Sequence, residues 1–224
     1  MHYYIGLIIE ALFLFFADIV AIRYNEIKAE KTLRAKIQAV KGMGSKARIY
    51  SAYMFVVLVA TAFLLVQYKG DNTILMNVER VYLISLILPA MFYDLREERI
   101  PNKLVVYGTI CRLMFIIPEM LLEDDIIMTW IMESVAVVIM VFVAVAILLI
   151  YEEAFGMGDV KLFAVMGAYL GIGGLFAAMF YTGILSGIAS VFLIILRRKK
   201  LKDTMKYAPF IVWGTIIAIF VFGA

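Results

Sequence analysis

Two aspartates stand at the edges of long apolar runs. Asp94 lies in Tyr93-Asp94-Leu95-Arg96-Glu97-Glu98-Arg99-Ile100-Pro101-Asn102, and Asp159 lies in Gly156-Met157-Gly158-Asp159-Val160-Lys161-Leu162. A charged residue at the centre of a membrane helix costs roughly 2.5–3.5 kcal/mol on insertion scales, so acids in this setting ask for a reason. Two carboxylates brought close together cannot both ionise cheaply, and such a pair shares a proton. The ionised member can draw a proton from a water that attacks a carbonyl, while the protonated member polarises that carbonyl. This chemistry needs neither metal nor cofactor. It suits a chain with one histidine, His2, and one cysteine, Cys111, which exclude an internal disulfide and a cysteine-based zinc site.

The neighbours of each aspartate are suited to holding it. Gly156 and Gly158 remove side chains just before Asp159, where another element could approach closely or a helix could begin. At the start of a helix, Asp159 is favourably placed by the helix dipole. Pro101 presets the start of the next helix and disfavours helix at Ile100, so a short link separates Asp94 from that helix.

The elements that must position these residues are membrane helices. Hydrophobic residues make up 65% of the 224 and mean hydropathy is +0.97, more apolar surface than one soluble core of this size can hide. In lipid the backbone must satisfy its own polar groups, and the runs are helix-length, so the expected class is an all-α polytopic bundle. Eight spans are expected, near 3–22, 49–67, 78–93, 103–118, 127–151, 160–173, 175–196 and 207–223, forming a single domain over 1–224. Residues 23–48 carry Arg23, Lys28, Lys31, Arg34, Lys36, Lys41, Lys46 and Arg48, and residues 197–206 carry Arg197, Arg198, Lys199, Lys200, Lys202 and Lys206. With eight spans these loops share one face with Arg96, Arg99, Lys103 and Lys161, and the opposite face has the acidic patch Glu119, Glu123, Asp124 and Asp125. The positive-inside rule makes the basic face cytoplasmic, puts both termini outside and brings both aspartates to the inner boundary. Glu10, Asp18 and Arg23 in and after the first apolar run argue against a cleaved signal peptide.

Smaller features carry structural expectations. Gly171-Ile172-Gly173-Gly174 predicts a tight external turn, while Gly167/Gly171 and Gly183/Gly187 are spaced for close helix packing. Residues 27–40 predict a basic amphipathic helix on anionic headgroups. Asp18 is expected to pair structurally with Arg23 or Lys161.

Taken together, these residues resemble the type IV prepilin peptidase family. The matching elements are G-x-G-D followed by Val160-Lys161-Leu162, the upstream Asp94 trailed by Ile100-Pro101-Asn102, Tyr207-Ala208-Pro209-Phe210, and Asp18-Ile19-Val20-Ala21-Ile22-Arg23. The resemblance implies that Asp94 and Asp159 are the catalytic pair, supported by Gly156, Gly158, Pro101, Asn102, Lys161 and Pro209. It implies removal of a basic leader from a prepilin or pseudopilin at the cytoplasmic face of the cell membrane, with lipid as the surroundings and no nucleic-acid partner. Many bacterial members add a cytoplasmic domain with two cysteine pairs and also N-methylate the new terminus. Here 23–48 is short and lacks cysteine, which is similar to the compact peptidase-only members of tight-adherence and archaeal flagella-like systems.

Glu97, Glu98, Glu152 and Glu153 flank the two aspartates while the other inner loops are basic, so they are candidates to attract the leader's Lys and Arg. Three other readings remain open on the residues alone. A proton-coupled transporter also uses intramembrane acids, an assembly platform would tolerate loss of either aspartate, and a presenilin-like protease shares Tyr93-Asp94 and G-x-G-D but ends in P-A-L, which Ala208-Pro209-Phe210 does not supply.

Overall fold

The computed structural model describes residues 2–22, 45–68, 73–122, 126–150, 157–197 and 205–221. Among them the regular structure is helical: α1 His2–Ile22, α2 Ser45–Tyr68, α3 Ile74–Glu97, α4 Asn102–Leu122, α5 Ile126–Ile150, α6 Met157–Ile195 and α7 Ala208–Val221. Five stretches are long and apolar enough to cross a membrane: Arg48–Tyr68, Ile74–Glu97, Asn102–Leu122, Ile126–Val143 and Met157–Ile195; α7 is a shorter apolar helix. The chain is a multi-pass helical membrane protein. The stretch 27–40, with its expected surface helix, lies outside the described residues, as do Glu123, Asp124 and Asp125.

As one straight rod, the 39 residues of α6 would measure about 58 Å, nearly twice a hydrocarbon core of about 30 Å. The chain solves this at Gly171, where φ 64° and ψ −176° break the helix in a conformation that only glycine adopts freely. The two arms then turn back on each other: a Cβ on Gly167 would sit 3.2 Å from Leu175 Cδ2. In an unbroken helix those residues would be about 12 Å apart along the axis. Hence α6 supplies the two segments expected at 160–173 and 175–196.

Two compact units emerge, Met1–Phe92 and Tyr93–Ala224. In the first, α1 to α3 pack Met54, Leu58, Leu65, Leu83, Ile84 and Leu88 into a fully buried core. The Phe15 and Phe55 rings meet edge-on at 5.1 Å. Asp18 is buried there and accepts a hydrogen bond from Ser85 Oγ at 3.0 Å. Of the two partners expected for Asp18, Arg23 lies outside the described residues, and Lys161, in the other unit, donates to Asn102. Tyr50 OH donates to the Leu88 carbonyl at 2.7 Å, beside Pro89 within α3.

In the second unit, α6 is the hub, packed against α4, α5 and α7. It meets α7 closely at Gly214, where a Cβ would collide with Thr182 Oγ1 and lie 2.6 Å from the Thr182 backbone nitrogen. Thr182 Oγ1 is itself held by the Ala178 carbonyl at 2.7 Å and cannot swing aside without losing that bond. Gly167 packs on Ala136, whereas Gly183 and Gly187 have none of the described residues within 4 Å of a built Cβ. A paired test follows. Gly214→Ala should cost about 1–3 kcal/mol of stability through backbone overpacking, whereas Gly183→Ala should stay within about 0.5 kcal/mol. Thermal unfolding of the detergent-solubilised protein measures both.

Candidate active site

Four helix ends of the second unit meet around Asp94 and Asp159. Asp94 occupies the last turn of α3 and Asp159 the first turn of α6; both are half-buried. They lie near enough for Asp159 to feel the charge of Asp94. Both carboxylates sit at helix boundaries, partly shielded from solvent.

Asp94 is held by the start of α7. The Ala208 backbone N–H donates to Asp94 Oδ2 at 3.2 Å, and the Tyr207 peptide lies against the same carboxylate. The local sequence explains why an acid suits this place. The first N–H groups of a helix have no partner within it, and the positive end of the helix favours an anion. Pro209, the second residue of α7, has no N–H to satisfy, while the Tyr207 carbonyl closes the first turn by accepting from Phe210 at 3.0 Å and Ile211 at 3.2 Å.

The other end of that contact is also fastened. After Asp94, α3 closes with Glu98 in the left-handed region, φ 53°, its N–H donating to the Asp94 carbonyl at 3.1 Å. Lys206 Nζ donates to the Leu95 carbonyl, one of the last-turn acceptors that α3 cannot satisfy itself, and sits 3.5 Å from Glu98 Oε1. The lysine just before α7 thus ties its start to the end of α3.

The residues on either side of Asp159 meet the approach to α4 and its first turn. Pro101 immediately precedes α4, and its carbonyl accepts from Leu104 N at 3.0 Å. Ile100 is buried, and a Cβ on Gly158 would lie 3.1 Å from Ile100 Cβ and 3.3 Å from its Cγ1. The glycine before Asp159 is therefore the one that meets the isoleucine of Ile100-Pro101-Asn102. One turn further on, Lys161 Nζ donates to Asn102 Oδ1 at 3.0 Å. The two sequence elements that looked separate are parts of one contact.

The structure thus gathers Asp94, Asp159, Gly158, Pro101, Asn102, Lys161 and Pro209 around helix ends of one unit. Glu97 and Glu98 are exposed beside them. Gly156, Glu152 and Glu153 lie outside the described residues. No group of His, Cys, Asp and Glu able to hold a metal is present among the described residues.

Sequence reasoning counted Lys206 only as loop charge and overlooked Arg112, Trp130 and Glu133. It also set Glu119 in an external acidic patch. Glu119 is instead buried, paired with Arg112 at 2.7 Å and accepting from Trp130 Nε1 at 2.7 Å. The available signal was Arg112 itself, a charge within an apolar run that has to find anionic partners in neighbouring helices.

Residues 81–191 match the type IV leader peptidase family, a stretch that includes both aspartates. No curated protein and no solved structure matches the chain. The Gly158–Ile100 contact makes its own prediction. Gly158→Val should destabilise the protein. Gly158→Val combined with Ile100→Ala should lose less than the sum of the single changes, with a coupling of about 0.5–3 kcal/mol in unfolding measurements.

Proposed function

We propose that this chain, whose residues 81–191 match the type IV leader peptidase family, cuts the basic leader from a type IV-like prepilin or pseudopilin, with Asp94 and Asp159 as the catalytic pair. The observation that carries this is the convergence of the helix ends that bear the two aspartates, with the Ala208 N–H on Asp94 and Ile100 against Gly158 next to Asp159. Each has a distinct setting. Asp94 accepts N–H from the start of α7, which fixes its carboxylate for the role of the base that takes a proton from water. Asp159 takes the complementary role, polarising the scissile carbonyl as the protonated acid. After attack, the proton taken by the base passes to the leaving nitrogen. No covalent intermediate with the protein forms.

The positive-inside rule, applied to the basic loops, supports a position for this pair at the cytoplasmic boundary of the cell membrane. A prepilin arrives there with its leader in the cytoplasm and its hydrophobic helix in the bilayer, so the scissile bond sits where the aspartates are. The exposed carboxylates of Glu97 and Glu98 give the leader's Lys and Arg an anionic landing place. Glu98 already has Lys206 at 3.5 Å, and its side chain remains 75% exposed. A second cation can therefore approach it. Glu152 and Glu153 extend the same proposal along the sequence.

Co-expression with a prepilin-like substrate tests the core of the reading. Asp94→Asn and Asp159→Asn should each abolish leader removal while membrane insertion and protein level stay normal; cleavage that survives either change at wild-type rate rejects it. The landing site has a separate test. Glu97→Gln with Glu98→Gln should slow cleavage of a leader bearing several Lys or Arg about tenfold and leave a neutral leader within about twofold, a contrast of about 1.4 kcal/mol. An equal loss on both leaders removes the glutamates from leader recognition.

A further inference from the structure

The geometry points to Arg112 as a positioning residue that caps the far end of the helix carrying Asp159 and so sets the height of that aspartate against Asp94. This inference deepens the catalytic reading above and rests on it.

The first arm of α6, residues 157–170, has Asp159 in its first turn and stops at the Gly171 break. A helix that stops leaves its last carbonyls without intrahelical donors, and in a membrane no water replaces them. One of these is the Ala168 carbonyl, and Arg112 Nε donates to it at 2.5 Å. A cation at this end also complements the negative pole of the helix. Arg112 thus does from a neighbouring helix what a C-cap does locally.

The arginine is itself fixed. Its guanidinium pairs with Glu119 Oε1 at 2.7 Å and with Glu133 Oε2, and it lies over the Tyr169 ring at 5.9 Å. Trp130 Nε1 holds the second oxygen of Glu119 at 2.7 Å. A planar fork with two carboxylates on one side and a carbonyl on another has little freedom to slide.

What makes this a positioning device is that the same helix, α4, grips the arm at both ends. Near its start, Asn102 accepts from Lys161 and Ile100 fills the space beside Gly158. Further along, the Gly108 carbonyl accepts from Tyr169 OH at 2.9 Å, and Arg112 reaches Ala168. The arm is a short rod gripped along its length by α4. Because α4 follows Asp94 through Ile100 and Pro101, shifting the rod along α4 shifts Asp159 relative to Asp94. Misplacement of a reacting group by about 1 Å can lower a rate by about 10²-fold.

The test uses the full chain in detergent with a prepilin-like substrate, comparing wild type, Arg112→Met, Arg112→Lys, Glu133→Gln and Asp159→Asn. Thermal unfolding gives the folded fraction, and kcat is expressed per folded enzyme. Arg112→Met should lower kcat about 10- to 100-fold with KM within about twofold and should change the shape of the kcat–pH profile; Arg112→Lys should recover part of the loss. A purely structural role would scale kcat with folded protein equally at every pH. Superimposable profiles and kcat within about twofold for Arg112→Met would therefore overturn the proposal. Where Arg112→Met does not fold, Glu133→Gln and Arg112→Lys carry the same decision: an altered profile with lowered kcat upholds it and an unaltered one rejects it. Cleavage retained by Asp159→Asn would instead sink the catalytic reading, and the positioning role with it.

Discussion

Backbone groups at broken and ended helices must find partners inside the protein, because lipid offers none, and the second unit is organised around that requirement. The contact from Ala208 N–H to Asp94 is its clearest case. A helix start needs an acceptor and an aspartate in a half-buried site needs a donor, so one interaction settles both. Lys206 on the Leu95 carbonyl and Arg112 on the Ala168 carbonyl answer the complementary need at helix C-termini. In each case the satisfying group comes from outside that helix, from another helix or the residues leading into one. The bonds that close a helix end therefore also fix how two helices are juxtaposed.

This explains why polar residues in so apolar a chain are concentrated at particular depths. Breaking a buried ion pair by removing one partner typically costs about 3–5 kcal/mol, since a charge is left uncompensated. Arg112, Glu119 and Glu133 are thus interdependent: the two carboxylates tolerate burial because of the guanidinium, and the guanidinium because of them. A well-packed apolar trio could be as stable, but it could not hydrogen-bond the carbonyl that the Gly171 break exposes.

Much of the helical order was legible because apolar length is a one-dimensional signal. The break at Gly171 falls within the glycine turn read from Gly171-Ile172-Gly173-Gly174, and Pro101 stands just ahead of α4 as its ring demands. What could not be read was partner choice across helices. Gly158 meeting Ile100, and Gly214 meeting Thr182, depend on helix rotation, which a hydropathy trace does not encode. Gly183 and Gly187 have the spacing of a packing face but face none of the described residues. Glu119 was misassigned for a related reason. It comes four residues before a run of acids, yet it lies two turns along α4 from Arg112 and turns inward with it.

The placement of Ala208 has a consequence for how the molecule is made. Ribosomes deliver the segments in order, and α7 emerges after α3, α4 and both arms of α6. Until it is threaded into the bilayer, Asp94 lacks its N–H partner and Leu95 lacks its lysine. A nascent chain holding every helix through α6 already carries both acids without these contacts. The arrival of α7 therefore completes the packing around the end of α3.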